Sequence, residues 1–187
     1  LTASVDRLVF SASDGSNGNE IWFIDVDTHA TAFKDINTTA GESSKPEDLV
    51  VFEDNDGKAW VYFSANAGSG TKLYRTDGTT TGTSTVANAS GLSGPFVLAS
   101  GDTKLGIISG SSAVLSALAP NQTLETVDSQ QVISGITEMV DWDAQGGPVF
   151  VSLANSTYTL RTETSEIDNF GEPVSDLTPV GNHLYFT

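Results

Sequence analysis

The sequence feature that most limits the fold is a short unit in which an apolar strand runs directly into a Gly-containing polar turn. The clearest copy is KLYRTDGTTTGTS, residues 72–84. It predicts a strand that ends at Thr76, a tight Asp-Gly-Thr turn at residues 77–79, and a new strand that begins near Ser84. Asp and Gly are residues that such turns favour. A chain built from these units folds as short antiparallel strands.

Variants of this unit recur along all 187 residues. A strand of the pattern apolar-apolar-Phe-Ser returns at an average step of 44 residues, with Asp-Gly or Gly-rich turns between copies. Four strands in about 40–50 residues is the scale of a propeller blade, and no stretch keeps a helical period over three turns. The sequence therefore predicts an all-β, propeller-like array of about four four-stranded antiparallel blades with little or no helix. The aligned strands begin at Leu8, Val61, Gly106, Val149 and Leu184.

The repeats predict a single β-repeat domain or a fragment of a larger propeller. Its units cover approximately residues 1–46, 47–92, 93–134 and 135–173, and a fifth starts at 174–187. A four-bladed ring with overlapping ends, part of a larger ring and an open array all fit this spacing. An open form would leave edge strands through which copies could associate. The first residue is Leu rather than Met, and no signal segment follows it, so we expect a mature or excised piece of a longer protein.

Large side chains at equivalent positions predict how the blades pack. One small twisted sheet cannot bury both of its faces, so stacked sheets must share a core. Four residues hold equivalent places in the units and are expected between blades: Trp22, Tyr74, Leu115 and Leu160.

Charge and composition exclude several classes of function. Twenty-four acidic residues against eight basic ones give a net charge of −16, which argues against nucleic acid and anionic membranes as partners. Cysteine is absent, which excludes a thiolate metal site or a cysteine nucleophile. No apolar run approaches the length of a membrane span, so membrane insertion is not expected. The acidity suits divalent cations, a cationic partner or solubility alone.

The unit at residues 72–84 resembles the ELWxxDGTxxGT repeat of large bacterial surface and secreted proteins. NEIWFIDVD at residues 19–27, FKDINTTAGESSKPEDL at 33–49 and DLTPVGNHLYFT at 176–187 resemble other parts of that repeat, whereas residues 87–173 lack its Asp-Gly-Thr. The resemblance implies a propeller-like β domain, an extracellular or cell-surface location, and no catalytic residues. Size, acidity and lack of Cys also resemble ligand-binding modules of giant calcium-dependent adhesins.

Three acidic loops are candidate calcium sites, because calcium binds several oxygens from carboxylates, amides and carbonyls. The same residues also belong in ordinary polar turns, which is the competing interpretation. An EF-hand is excluded, since the twelfth residue counted from Asp141 is Ser152 rather than Glu. The candidate ligands are Asp14, Asn17 and Glu20 in the first loop, Asp54 and Asp56 in the second, and Asp141 and Asp143 in the third.

The third loop is also the candidate ligand-binding site. Trp142 lies inside the predicted turn at residues 141–148, where it could contact a ligand together with Asp141 and Asp143, or pack against the blade. Enzyme chemistry finds little support. The two His residues, His29 and His183, lie in turn regions, and no nucleophile elbow or paired-His spacing occurs. No catalytic residue is therefore assigned.

These observations favour an extracellular binding or adhesion module that recognises a peptide or glycan through its loops, with calcium ordering those loops. A structural repeat segment that acts as a spacer or filament subunit, without a ligand, is the first alternative. A propeller-type carbohydrate-active enzyme is the second, because propellers can present the carboxylate pairs that glycosidases use.

Overall fold

All regular elements that the structure describes are β-strands, as the spacing of apolar residues and turns predicts. The computed structural model describes residues 2–4, 6–53, 57–86, 96–100, 105–109, 114–118, 124–126, 136–142, 147–162 and 165–187. No helix occurs in these segments, so none there could cross a membrane. The all-β prediction is confirmed for this part of the chain. Two compact units, Leu1–Phe96 and Val97–Thr187, divide the chain.

The first unit contains two four-stranded antiparallel sheets, each of which follows the chain order. The first sheet consists of β1 (Thr2–Ser4), β2 (Arg7–Ser13), β3 (Asn19–Asp25) and β4 (Thr31–Lys34). The second sheet consists of β5 (Glu47–Glu53), β6 (Ala59–Asn66), β7 (Thr71–Thr76) and β8 (Ser84–Thr85).

The second unit contains two further four-stranded antiparallel sheets and a hairpin. The third sheet consists of β9 (Phe96–Ser100), β10 (Leu105–Ser109), β11 (Val114–Leu118) and β12 (Leu124–Thr126). The fourth sheet consists of β13 (Ile136–Trp142), β14 (Gly147–Ala154), β15 (Thr157–Arg161) and β16 (Glu166–Phe170). The hairpin is formed by β17 (Thr178–Val180) and β18 (His183–Tyr185).

In the first unit, one face of each sheet contributes to a shared apolar core. Alternate residues of a strand point to opposite faces. Val9, Ile21 and Phe23 of the first sheet are buried together with Val61 and Phe63 of the second. Strand β6 is buried on both faces, because its other face carries Trp60 and Tyr62. Pairs of four-stranded sheets thus obtain the core that a single sheet lacks.

Two of the four predicted inter-blade residues are buried in a core. Tyr74 is in the core of the first unit and stacks on Phe63, with 5.7 Å between ring centroids. Leu160 is in the core of the second unit. Trp22 is only half-buried, on the opposite face of β3 from Ile21 and Phe23, where it stacks on Phe33 at 4.8 Å and donates its Nε1 hydrogen to the Ala12 carbonyl. The side chain of Leu115 lies outside the described residues.

The core of the second unit joins the fourth sheet to the β17–β18 hairpin. Val149, Val151 and Leu160 of the sheet are buried with Val174 and Leu177, which precede β17. Leu184 of β18 packs against the same core. The hairpin therefore covers one face of the fourth sheet, although it has only two strands.

The same strand register occurs at the two ends of the chain. Thr2 pairs with Val9 in the first sheet, and Thr178 pairs with Tyr185 in the hairpin. Each partner lies 176 residues after its counterpart, and the two other pairs of β1–β2 and β17–β18 keep the same offset. Strands β1 and β17 are each only three residues long. Neither was predicted from the sequence, because three residues are too few to show alternation.

The Asp-Gly-Thr turn after β7 is closed by its own side chains. The Asp77 carboxylate accepts hydrogen bonds from the Thr79 backbone N–H at 3.2 Å and the Thr79 hydroxyl at 2.7 Å. Gly78 has a left-handed φ of 84°, which favours glycine. Gly82 lies directly under the Asp77 carboxylate, so that a Cβ at this position would overlap it. A side chain at Gly82 would therefore have to displace the Asp77 carboxylate.

Replacing Gly82 by Ala should destabilise the first unit by about 1–3 kcal/mol, the usual cost of overpacking. The new methyl group must displace the Asp77 carboxylate from Thr79. Chemical denaturation measures the effect. The matched control is Gly171→Ala, whose Cβ meets nothing within 4 Å and should leave stability unchanged. Equal stability of both variants would show that the turn does not depend on this close approach.

Candidate functional site

The candidate site in the first unit is organised by a buried carboxylate. Glu20, the second residue of β3, is 1% exposed. Its Oε1 accepts the backbone N–H of Ser44 at 2.8 Å, and its Oε2 accepts the N–H of Ile36 at 2.8 Å and the Ser44 hydroxyl at 2.6 Å. A buried carboxylate is stable only when it is well hydrogen-bonded. Glu20 therefore holds both ends of the loop at residues 35–46.

This loop is also hydrogen-bonded to the backbone of the strands beside it. The Asn19 carbonyl accepts the N–H groups of Ser44 and Lys45, each at 3.1 Å, and the Ser43 hydroxyl accepts the Asn19 N–H at 2.9 Å. The Ser44 carbonyl accepts the N–H of Asn66, at the end of β6, at 2.8 Å. The loop thus connects the first sheet to the second at one end of the strands.

A cavity of about 440 Å³ opens between this loop and the turn after β6. The turn is shaped by Asn66, whose side-chain oxygen accepts the N–H groups of Gly68 at 2.8 Å and Gly70 at 3.2 Å. The walls of the cavity carry amide, hydroxyl, carboxylate and ammonium groups. The lining residues are Asn37, Thr39, Glu42, Ser43, Lys45, Asn66 and Gly68.

The chemistry of this loop-end groove, as we call the cavity, suits a polar ligand. Six of its seven lining residues carry polar or charged side chains, and the seventh is Gly68, so polar contacts should dominate binding. Amide and hydroxyl groups instead recognise ligands by donating and accepting hydrogen bonds. Glu42 and Lys45 supply one charge of each sign and both are exposed.

The first predicted calcium loop has its oxygens bound within the protein. Asp14 Oδ1 accepts the backbone N–H groups of Ser16 and Asn17, and Oδ2 accepts the Asn17 side-chain amide. The backbone N–H of Asn17, with help from the Ser16 N–H and the Asn17 amide, holds the pKa of Asp14 below its usual range. Glu20 instead binds Ile36 and Ser44. Asp14 and Glu20 therefore take separate partners, and the described residues hold no group of three or more His, Cys, Asp or Glu suited to a metal ion.

The remaining predicted site residues lie largely outside the described residues. Asp54, Asp56 and Asp143 are not described, so their calcium assignments stay predictions. Asp141 and Trp142 are described in their backbone alone, as the last residues of β13. They pair with Pro148 and Gly147, respectively. The prediction that Trp142 lies inside a turn was therefore wrong: the strand continues through it, because the pairing with β14 extends to Gly147.

A second cavity, of about 360 Å³, lies at the opposite strand ends of the first unit, beside the Asp-Gly-Thr turn. Three of its four charged lining residues, Arg7, Lys58 and Asp77, are in ion pairs. Arg7 binds Asp25 at 3.1 Å, and Lys58 binds Asp77 at 3.1 Å. Burial raises the pKa of Asp77, but hydrogen bonds from Thr79 and Lys58 outweigh it and leave the pKa below its ordinary value. Because these three charges already have partners within the protein, this cavity is less suited than the loop-end groove to a ligand.

Sequence reasoning missed the groove because its residues are distant in the chain. Asn37 and Asn66 meet only after the two sheets pack. The segment 33–49 carries a signal, since two Ser residues and a Pro precede β5, but by itself this pattern indicates only a repeat. The buried role of Glu20 could not be inferred, because Glu is rarely buried.

Comparison with protein-family models and with curated proteins finds no match. Among solved structures, the chain is similar to TolB from Acinetobacter baumannii, a β-propeller-containing protein, with a TM-score of 0.53 and 16% identity. The match covers 87% of this chain and 39% of the TolB chain. The chain thus spans well under half the length of that protein, and the likeness concerns the fold alone.

Removing the buried carboxylate should unfold the loop that lines the groove. Glu20→Ala leaves the N–H groups of Ile36 and Ser44 without their acceptor, at an expected cost of about 2–5 kcal/mol. Chemical denaturation measures the loss, and hydrogen exchange should show faster exchange of both amides. Glu42→Ala is the matched control, since this exposed Glu should change stability by less than about 0.5 kcal/mol. A similar small effect at Glu20 would contradict its anchoring role.

Proposed function

We propose that the chain is an extracellular binding module of a bacterial surface protein, and that the loop-end groove recognises a glycan or a polar peptide. The observation that carries the proposal is the groove itself, whose amide, hydroxyl and charged groups stand on a loop anchored by Glu20. Ligand-binding residues commonly lie on loops that a rigid scaffold positions. The extracellular setting rests on the resemblance to surface-protein repeats.

The proposed arrangement of the sheets is propeller-like. It is supported by the repeated four-stranded sheets, by the shared core of the first and second sheets, and by the similarity to TolB. In propellers the loops at the strand ends form the ligand-binding surface. The groove lies among loops of this kind.

The residues that line the loop-end groove favour binding over catalysis. A glycosidase needs two carboxylates placed on either side of the scissile bond. Among the described lining residues of the groove only Glu42 supplies a carboxylate. Glu42 and the hydroxyls of Thr39 and Ser43 suit hydrogen bonding to sugar hydroxyls or to a peptide backbone.

A glycan and peptide array screened with the intact chain should identify a ligand, and groove substitutions should weaken its binding. The double variant Thr39→Val, Glu42→Gln should lower the affinity about 5- to 150-fold, since two lost hydrogen bonds together cost about 1–3 kcal/mol. Titration calorimetry with the array ligand measures the change.

The control for this experiment is Thr85→Val, Glu172→Gln, which makes the same chemical changes at exposed residues outside the groove. Its affinity should equal that of the parent chain. If the array yields no specific ligand, the alternative of a structural spacer replaces the proposal. Equal weakening by both variants would place the site elsewhere.

The calcium part of the proposal is carried by the acidic loops, including Asp54, Asp56 and Asp143. Extracellular calcium modules have dissociation constants of about 10⁻⁴–10⁻³ M. At about ten times that constant, calcium binding should stabilise the folded chain by about 1.4 kcal/mol. For a chain of this size, the melting temperature should rise by about 3–5 °C. Magnesium is the control, and an unchanged melting temperature at millimolar calcium would remove the metal from the proposal.

A further inference from the structure

The buried and half-buried side chains that line the loop-end groove offer mainly hydrogen-bond donors. Asn66 is the clearest case, because its Oδ1 accepts the backbone N–H groups of Gly68 at 2.8 Å and Gly70 at 3.2 Å. An amide oxygen has two lone pairs, and only the oxygen of the side chain can accept, so these two bonds fix the orientation of the amide. Asn66 therefore still offers its Nδ2 hydrogens, which no described residue accepts.

Two further lining side chains have their oxygens occupied in the same way. The Ser43 hydroxyl oxygen accepts the Asn19 N–H at 2.9 Å, so its hydrogen remains to be donated. The Asn37 oxygen accepts the Thr39 N–H at 3.3 Å, and its Nδ2 reaches only the Ser43 carbonyl, at 3.5 Å. A Cβ on Gly68 would lie 3.4 Å from Asn37 Oδ1, so this amide is directly beside the turn after β6. We call these three side chains the donor floor: Asn37, Ser43 and Asn66.

A ligand that covers the donor floor must bring hydrogen-bond acceptors, because a buried donor without one loses its bond to water. A carboxylate is the wrong acceptor here, since a buried negative charge already lies beside the floor. Glu20, only 1% exposed, binds Ser44, the residue between Ser43 and Lys45. The whole chain also carries a net charge of −16. A neutral carbonyl oxygen accepts two hydrogen bonds and brings neither a negative charge nor a hydrogen of its own.

Acceptors lie at the exposed rim of the groove, next to the donor floor. Glu42 precedes Ser43 in the chain, and Thr39 is bound to Asn37 through its backbone N–H. Both rim side chains are exposed, and no described residue binds the Glu42 carboxylate or the Thr39 hydroxyl. A secondary amide has a carbonyl oxygen on one side and an N–H on the other. One such group can therefore satisfy the donor floor and the rim together.

Resting on the proposed function, we propose that the loop-end groove recognises the acetamido group of a neutral N-acetylated sugar. The acetamido carbonyl accepts hydrogen bonds from the donor floor, and its N–H donates to the Glu42 carboxylate. The hydroxyls of the sugar ring bond to Thr39 and Lys45 at the rim. A peptide amide is flanked by side chains of many kinds, whereas a sugar surrounds its acetamido group with hydroxyls. Those hydroxyls match a described lining that is polar or charged at every residue except Gly68.

The first test compares two ligands on the unmodified chain by titration calorimetry. The probe is the disaccharide of N-acetylglucosamine, and its matched control is the corresponding disaccharide of glucose, in which hydroxyls replace the acetamido groups. The acetamido disaccharide should bind saturably. The glucose disaccharide should bind about 5- to 150-fold more weakly, because it lacks the carbonyl and the N–H that make two of the hydrogen bonds.

The second test changes one donor of the floor without changing its shape. In Asn66→Asp, one carboxylate oxygen can still accept the N–H groups of Gly68 and Gly70, but the second oxygen replaces the NH2 group. Affinity for the acetamido disaccharide should fall at least about tenfold. Asn155→Asp is the matched control, since it makes the same change at an exposed residue outside the groove and should leave the affinity within about twofold. Melting temperatures of both variants report whether the fold is kept.

The other outcomes separate this inference from the proposed function. Equal affinity for the two disaccharides would overturn acetamido recognition and leave a glycan-binding groove. Tighter binding of a disaccharide that contains glucuronic acid would overturn the choice of a neutral acceptor. Equal affinity for an N-acetylated dipeptide amide would make a peptide the ligand and refute the sugar. Binding of neither disaccharide would also refute it, while the glycan and peptide array decides the proposed function separately.

Discussion

The hydrogen bonds of the Glu20 carboxylate are the interaction on which the geometry of the first unit depends. Leaving water costs a carboxylate several kcal/mol unless donors replace the solvent. Here three donors from Ile36 and Ser44 do so within 2.8 Å. Because Ser44 also accepts the N–H of Asn66, one buried charge links β3, the loop and the end of β6. The hydrogen bonds of Glu20 thus fix the position of the loop that lines the loop-end groove.

The second constraint is that a sheet of four short strands cannot bury both of its faces by itself. Strand β6 meets this constraint fully, with Val61 and Phe63 toward the first sheet and Tyr62 packed edge-on against Phe52 on the other face. The β17–β18 hairpin meets it only in part, because Leu184 is packed on the fourth sheet while Tyr185 is exposed. In both places the buried face is the one that packs against another sheet.

The fold was predictable from the sequence to the extent that it is local. The end of β7 at Thr76 and the start of β8 at Ser84 were predicted as observed, and the Asp77 turn follows from side chains within a few residues of one another. Two features were not predicted. Strand β1 is too short to show a period, and the extension of β13 through Trp142 depends on nonlocal pairing. The site was less predictable, because Asn37 and Asn66 are brought together only when two sheets pack.

The two strand ends of the first unit have the same scaffold but different chemistry, and this difference is why we propose a ligand at one end and not at the other. At the Asp77 end the turn is short, and Lys58 and Thr79 satisfy its carboxylate locally. Such a turn resists change, because Gly82 leaves no room for a side chain. At the other end, Glu20 binds backbone N–H groups and the Ser44 hydroxyl. The exposed Thr39 and Glu42 side chains take no part in these hydrogen bonds. Residues there can change without loss of the fold, which is what a recognition surface requires.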